Sequence, residues 1–344
     1  MLKTFLATIN PMLTMFFCMV IGFALKKCRI LPDNASKTVA KLLTWVACPA
    51  LSFSVMARYF TISTISKYLS IIIMGTICVT MAIIAAFVIA PIIIRKKSYE
   101  RCIYRYAMAF ANSGYMGEPL VQSIFGDFVL SYYKLATLPI SIAIYAWGVG
   151  TLVPSGNKKE SFFKKMMNPP LVSMIVGMIV GIVCGLIAKN VPDGSTAYDV
   201  IFPSFIVNSL DSLKACMGPI AMILAGVTVA NYDFLGMFKK KKVYVATALR
   251  LIVLPAILLT ALFGIKELCN LMFGLSISNT PIFLLFFATA TPLGLNTVVF
   301  PEAYGADPEL GASMAMLSHT LCVISIPLMY SLLTLILGEP VFPV

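Results

Sequence analysis

The stretch from Phe110 to Gly126, FANSGYMGEPLVQSIFG, interrupts an apolar segment with two glycines and a proline. A second stretch, from Phe287 to Gly305 (FATATPLGLNTVVFPEAYG), is interrupted in the same way by a proline and a glycine. Proline removes a backbone donor and clashes with the preceding helical turn, so both segments are predicted to form broken helices. The breaking residues are Gly114, Gly117 and Pro119 in the first stretch and Pro292 and Gly294 in the second.

The composition places these segments in a membrane. Of the 344 residues, 60% are apolar and only 12% are Asp, Glu, Lys or Arg, about half the charged share of a soluble domain. Runs of about 20 apolar residues, long enough to cross a hydrocarbon core of about 30 Å, recur from end to end. We therefore expect an all-α integral membrane protein whose first helix is retained and not cleaved as a signal peptide. The expected spans are 5 to 25, 38 to 57, 68 to 94, 103 to 125, 131 to 153, 169 to 188, 203 to 230, 243 to 265, 281 to 303 and 310 to 337.

The net charge of +12 follows membrane topology and does not indicate nucleic-acid binding. Of the 26 Lys and Arg residues, 18 cluster in alternate loops and six are assigned to the loops between them, although the last loop of the first set has no basic residue. The positive-inside rule places the clusters in the cytoplasm. Both termini are then predicted to lie on the outer side of the cytoplasmic membrane. The six residues assigned to outside loops are Lys3, Arg58, Lys67, Lys134, Lys189 and Lys266.

A basic linker around residues 155–165 divides the chain into two halves, residues 1–157 and 166–344. Five helices in each half force the second half to insert upside down, so the pattern predicts two inverted five-helix repeats. Echoes between the halves occur in the same order. They are Asn10-Pro11 with Asn168-Pro169, Gly22 with Gly181, Pro49 with Pro219, Ala111 with Ala290, and Gly126 with Gly305.

The two breaks form the predicted transport site. An unmet N–H or C=O at mid-bilayer costs several kcal/mol, so broken helices persist only beside a cavity, a ligand or other protein. Amides and hydroxyls flank both breaks, which suits ligand binding, whereas the alternative is an ordinary proline kink in each helix. The candidate substrate-binding residues are Asn112, Ser113, Gly117, Glu118, Pro119, Thr291, Pro292 and Asn296.

Two ionisable residues near the breaks are candidates for coupling to a proton or another ion. Glu118 would lie near mid-membrane, where a carboxylate must be protonated, paired or bound to a cation; the alternative is a neutral carboxylic acid that donates one hydrogen bond. His319 can carry a proton, and a neutral, hydrogen-bonded histidine is the alternative.

Arg250 is expected to snorkel to the cytoplasmic interface or to clamp a carboxylate. Asp211 and Lys214, spaced i, i+3, are expected to pair.

Six motifs spread over the chain resemble those of one known family. They are RILPDNASK (29–37), WVACPAL (45–51), ANSGYMGEPL (111–120), NPPL (168–171), RLIVLP (250–255) and YGADPELGAS (304–313). Together they resemble the auxin efflux carrier family, the bacterial relatives of the plant PIN proteins, sometimes described as malate permeases.

The resemblance implies a fold like that of bile acid sodium symporters, with ten helices in two inverted repeats. Broken helices 4 and 9 would cross near Pro119 and Pro292. Helices 1, 2, 6 and 7 would form a scaffold, and helices 3–5 and 8–10 a mobile part. Asn112 and Asn296 match the family's asparagines beside the crossing, and the family's substrates are carboxylates. Glu118 and His319 depart from the family pattern.

We therefore expect a secondary transporter of a small organic anion that works by elevator-type alternating access. The alternatives are a sodium-coupled organic anion symporter of the bile acid type, and a channel or receptor on the same fold. A single histidine and the lack of HExxH or GxSxG motifs argue against an enzyme. Nine cysteines without a CxxC pair argue against a metal site, and no cofactor is expected. The expected partners are a carboxylate, membrane lipid and a second copy of the chain; H⁺ or Na⁺ coupling is left open, and no nucleic acid is expected.

Overall fold

The computed structural model of the protein describes residues 2–153, 167–188, 191–232, 241–274, 277–303 and 305–342. Within these ranges the chain forms α-helices and short π-helical turns, and it contains no β-strand. Eight helices of this part are long and apolar enough to cross a membrane, and a shorter apolar helix, Thr280–Ala290, accompanies them. The basic linker with Lys158, Lys159, Lys164 and Lys165 and the predicted division between the halves lie outside the described residues, as do Lys189, Lys239 and Lys240.

The α-helices are numbered in chain order. They are α1 (Leu2–Lys27), α2 (Ala35–Leu42), α3 (Cys48–Tyr59), α4 (Ile62–Ile93), α5 (Tyr99–Ala109), α6 (Glu118–Ala143), α7 (Val149–Leu152), α8 (Pro169–Ile187), α9 (Ala197–Ile201), α10 (Ser204–Ala215), α11 (Met217–Ala230), α12 (Lys241–Ala248), α13 (Leu254–Phe273), α14 (Thr280–Ala290), α15 (Asn296–Ala303) and α16 (Glu309–Leu337).

Three π-helical turns precede a proline at the same spacing. The turns Leu43–Ala47, Ser113–Gly117 and Leu249–Val253 each end two residues before a proline. Proline cannot donate to the helical ladder and its ring pushes against the carbonyl four residues earlier. Widening the preceding turn to a π-helix accommodates that carbonyl while the helix continues. The three prolines are Pro49, Pro119 and Pro255.

Both predicted helix breaks are confirmed as full interruptions. Helix α5 ends at Ala109 and the π-helical turn that leads into α6 begins at Ser113. Helix α14 ends at Ala290 and α15 begins at Asn296. In each case several residues between the two helices are non-helical, so a simple proline kink does not describe them.

The assigned range of α6 contains two helices joined at Gly126, which has a φ of 81°. This left-handed conformation is one that glycine adopts readily, and it lies between the predicted spans 103 to 125 and 131 to 153. Gly305, which follows α15, also has a positive φ, of 71°. The first part of α6 (residues 118–125) therefore continues the broken helix, and the second part (residues 127–143) begins the next span.

Two long helix pairs pack closely through glycines. Helix α1 packs along α11, where a Cβ at Gly22 would overlap the carbonyl oxygen of Ile223. Helix α3 packs along α8, where a Cβ at Gly181 would overlap the carbonyl oxygens of Phe60 and Met56. Close approach of backbones is the usual way in which membrane helices gain packing energy, since lipid is as apolar as their side chains.

Candidate functional site

The two helix breaks contact each other through their backbones. Ala111 and Leu293 form an isolated antiparallel bridge, and the N–H of Asn112 donates to the carbonyl oxygen of Pro292 at 2.8 Å. On the other side the N–H of Leu293 donates to the Ser318 hydroxyl at 3.1 Å. These bonds satisfy backbone groups that the breaks would otherwise leave unpaired, as burial requires.

The crossing uses only one of the two expected prolines. Pro292 accepts a hydrogen bond at the crossing, but its partner is Asn112. Pro119 lies seven residues further along, beyond the π-helical turn, and it packs against Gly218 of α11. The expectation of a crossing near Pro119 is therefore wrong for this chain, because the first break occurs before the π-helical turn and not at the proline.

A cavity of about 150 Å³ lies beside the crossing. Its wall combines both breaks with the π-helical turn before α3, the second part of α6 and the beginning of α8. Among the lining residues only Glu118 and Lys134 carry a formal charge. The polar lining residues include Thr44, Ser52, Asn112, Ser113, Tyr115, Thr137, Ser141, Tyr145, Asn168 and Asn296.

The two charged residues of the cavity form an ion pair. Lys134 Nζ lies 2.7 Å from Glu118 Oε2 and 3.0 Å from the hydroxyl oxygen of Ser52. The Lys134 side chain is 3% exposed and that of Glu118 is 16% exposed. A straight helix would hold residues 16 positions apart at about 24 Å, so the bend at Gly126 turns the chain back and brings the pair together.

The prediction that Lys134 lies in an outside loop is wrong. It lies inside the second part of α6 and points into the cavity wall. Lys266, assigned to another outside loop, is also buried, and its ammonium donates to the side-chain carbonyl of Asn279 at 2.7 Å. Both lysines were assigned to loops because each lies near the end of an apolar run, where a basic residue is usually taken to flank the membrane span.

Asn112 is oriented by His319. The Asn112 amide nitrogen lies 3.2 Å from Nε2 of His319, and Nδ1 of the same ring lies 2.7 Å from the carbonyl oxygen of Ala315. A carbonyl can only accept, so Nδ1 carries the proton of the neutral ring and Nε2 must accept from Asn112. The Asn112 Oδ1 atom is then left for the cavity, where no described residue donates to it.

The second break presents its own amide and free backbone donors. Asn296 Nδ2 donates to the Tyr106 hydroxyl at 2.8 Å, and Gly294, Leu295 and Asn296 line the cavity at the start of α15. The π-helical turn that begins at Ser113 opens onto the same space. The first N–H groups of a helix have no partner within it, and the starts of both half-helices, with their positive dipole ends, lie at the cavity wall.

Four predicted site residues share the cavity and four others do not. Asn112, Ser113, Glu118 and Asn296 line it. The remaining four support the crossing from behind: Gly117 packs against the Tyr133 hydroxyl, Pro119 against Gly218, Thr291 is fully buried, and Pro292 accepts the backbone bond. His319 is buried behind Asn112 and does not line the cavity.

Arg250 neither snorkels nor lines the cavity. Its side chain lies in the π-helical turn Leu249–Val253 and is 2% exposed, with Nη1 3.4 Å from the carbonyl oxygen of Met108. The expectation that it reaches the interface is wrong, because the turn points it at the last carbonyls of α5. A cation there complements the negative end of that helix dipole.

An ion-pair network lies around the last turn of α3. Arg58 donates to Asp199 at 2.9 Å and to both carboxylate oxygens of Asp211 at 2.7 Å. Lys214 lies 2.8 Å from Asp211, as the sequence spacing predicts, and 2.6 Å from Asp127. Asp127 directly follows the bend in α6, so this network joins α3, α9 and α10 to α6. No cluster of His, Cys, Asp or Glu that could hold a metal ion occurs among the described residues.

Comparison with known proteins identifies the family. Residues 7–162 and 157–330 match a family described as membrane transport proteins, and the two matches together cover most of the chain. The chain belongs to this family, the auxin efflux carriers. It is also 24% identical over 322 residues to an uncharacterized transporter of Methanocaldococcus jannaschii, an alignment that covers 93% of this chain and 96% of the relative. The auxin efflux carriers are membrane transport proteins, in agreement with the prediction of a multi-pass transporter.

Proposed function

We propose that this auxin efflux carrier is a secondary transporter of a small organic carboxylate, and that the cavity at the helix crossing is its binding site. The observation that supports the proposal most strongly is the convergence of two half-helix N-termini on one polar cavity. Such N-termini bind anions through free N–H groups and the helix dipole, and broken helices at a repeat interface are where many secondary transporters bind substrate.

The cavity volume favours a small substrate. A cavity of about 150 Å³ matches the volume that takes up a molecule of benzene size in an engineered protein. A carboxylate of about six to nine non-hydrogen atoms fits that volume, whereas a steroid acid does not. The cavity volume therefore favours a short-chain acid over a substrate of the bile acid type.

The inverted repeat is supported by matched features of the two halves. Gly22 of α1 and Gly181 of α8 mediate the α1–α11 and α3–α8 packings, which are equivalent if helices 1 and 6, and 2 and 7, correspond. Gly126 and Gly305 both have positive φ values after the two broken helices. Counting each broken helix as one span, and α6 as two helices, gives ten spans.

Alternating access requires the cavity to open to one side at a time. The cavity is lined by the start of α8, which follows the basic linker predicted to be cytoplasmic. The Asp127–Lys214 ion pair joins α6 to α10 beyond the bend at Gly126. We infer that the chain is in an inward-facing state. Elevator-type movement would carry α4–α7 and α12–α16 past the scaffold, breaking that ion pair.

Charge balance at Glu118 is central to coupling. When an anion enters, either Glu118 takes up a proton or a sodium ion, or the substrate brings its own cation. Glu118 is the better candidate for the coupling residue, because His319 uses both ring nitrogens in hydrogen bonds and serves to orient Asn112.

The test is the melting temperature of the purified protein in detergent with small mono- and dicarboxylates, since a ligand that binds only the folded state stabilises it. We expect stabilisation by at least one short acid, weakened about tenfold in affinity by Asn112→Ala and by Asn296→Ala. Asn208→Ala, an exposed asparagine on α10, is the matched control and keeps wild-type affinity. Unchanged affinity in both cavity variants would place the substrate elsewhere.

A further inference from the structure

We propose that the transported carboxylate also carries a protonated amino group, so that the natural substrate is a zwitterion of the size of a small amino acid. The inference rests on the proposed function and narrows its substrate class. It is motivated by the neutral ion pair in the cavity wall and by the direction in which Asn112 is held.

The cavity has no net charge of its own. Glu118 and Lys134 neutralise each other at 2.7 Å, and no other lining residue carries a formal charge. A plain anion would add an unbalanced charge to this buried site. It would either compete with Glu118 for the single ammonium or lie beside the Glu118 carboxylate, and both arrangements leave one negative charge without a cation. A zwitterion adds no net charge.

The open side-chain acceptors of the site suit a cationic donor. Lys134 occupies Oε2 of Glu118, which leaves Oε1 without a donor among the described residues. The Ala315 carbonyl fixes the proton of a buried neutral His319 on Nδ1, so Asn112 has to present Oδ1 to the cavity. An ammonium group needs acceptors of this kind, because it has three donors and no acceptor.

The carboxylate of the same molecule has its own donors. Ser113 and Gly114, at the start of the π-helical turn, and Leu295 and Asn296, at the start of α15, line the cavity. The first N–H groups of a helix have no partner within it and favour an anion. The cavity lining thus combines these donors with the acceptors of Glu118 and Asn112. A ligand with both groups on neighbouring carbons can pair with donors and acceptors within the available volume.

The experiment compares isosteric ligands on the wild-type chain. L-Alanine and L-lactate differ only by an ammonium in place of a hydroxyl, as do L-aspartate and L-malate. Affinities are measured from ligand-dependent melting of the purified protein. We expect each amino member to bind at least tenfold more tightly than its hydroxy partner, as a charge-assisted hydrogen bond to a buried carboxylate would give. Propionate and ethylamine, which each carry one of the two charges, should bind more weakly than alanine.

Glu118→Gln tests the residue that receives the ammonium. In this variant we expect alanine to lose at least tenfold in affinity while lactate binds no more weakly than in the wild type. Glu267→Gln is the matched control, because Glu267 pairs with Lys266 and does not line the cavity; it should keep the wild-type preference. The comparison on the wild type needs no variant and stands if Glu118→Gln does not fold.

The outcomes separate this inference from the proposed function. Hydroxy acids that bind as tightly as amino acids would overturn the zwitterion inference and leave the carboxylate transporter intact, with a proton or Na⁺ supplying the balancing charge. If no carboxylate of either kind binds, both proposals fall.

Discussion

Lys134→Met should destabilise the protein strongly by leaving the Glu118 carboxylate without its cation. The side chain of Lys134 is 3% exposed, and its ammonium also donates to Ser52. Methionine has a similar length and no charge, so packing changes little while the ion pair is lost. The reverse change, Glu118→Gln, leaves the ammonium without its anion.

The expected cost follows from the burial of the pair. Breaking a buried ion pair from one side typically costs about 3–5 kcal/mol, since the remaining charge stays buried and uncompensated. Replacing both members removes both charges, so the double variant should cost less than the sum of the single variants. The coupling energy in a double-mutant cycle should be about 2–3 kcal/mol.

The assay is reversible unfolding of the purified protein in detergent, without ligand, for the wild type, the two single variants and the double variant. Glu267→Gln provides the control, because this carboxylate is 51% exposed and Lys266 keeps its bond to Asn279 when the charge is removed; a half-exposed pair of this kind contributes about 0–1 kcal/mol. A Lys134→Met variant as stable as Glu267→Gln, or a double variant whose cost equals the sum of the single ones, would refute a buried, mutually dependent pair.

Four further predictions follow from the geometry. His319→Leu should weaken ligand binding about as much as Asn112→Ala, with the protein still folded, as a melting assay would detect; full affinity in His319→Leu would remove its orienting role. Asp127→Asn and Lys214→Met should each increase labelling of the cavity by an impermeant thiol reagent added outside. Labelling equal to that of the wild type would mean that this ion pair does not hold the outer side closed. Gly22→Val should lower the melting temperature, because its side chain would overlap a carbonyl of α11; an unchanged value would contradict the close packing. Impermeant labels should reach both termini from outside, and labelling of only one end would break the inverted repeat.

The helix breaks were predictable because glycine and proline act locally. Pro292 removes a helical hydrogen bond, and Gly114 and Gly117 lower helix stability, whatever surrounds them. Both interruptions occur in the predicted stretches, but the first lies at residues 110–112, before its glycines and proline. The contact between the breaks, however, depends on how two distant segments pack. The family resemblance therefore implied Pro119 at the crossing, where the structure has Asn112.

The ion pair shows where sequence reasoning stops. A carboxylate at mid-membrane was predicted to need a proton, a partner or a cation, and the structure supplies the partner. Glu118 and Lys134 lie in the first and second parts of α6. Only the left-handed turn at Gly126 brings the two side chains together. A lysine just inside the beginning of an apolar span was the available signal, but charge counting treated it as a loop residue. The direction of Asn112 depends on His319, which is 207 residues away in sequence, and no local pattern could reveal it.

Counterflow in proteoliposomes tests the transporter function most directly. Vesicles containing the purified full-length chain are loaded with an excess of an unlabelled carboxylate that stabilises the protein, such as L-alanine, L-aspartate, L-lactate or L-malate, and diluted into a trace of the labelled compound. We predict a transient internal accumulation of label that saturates with external concentration and disappears without the internal load. Uptake that rises linearly with concentration and ignores the internal load would indicate a channel, and the absence of uptake above protein-free vesicles for all four compounds would contradict the proposed carboxylate carrier.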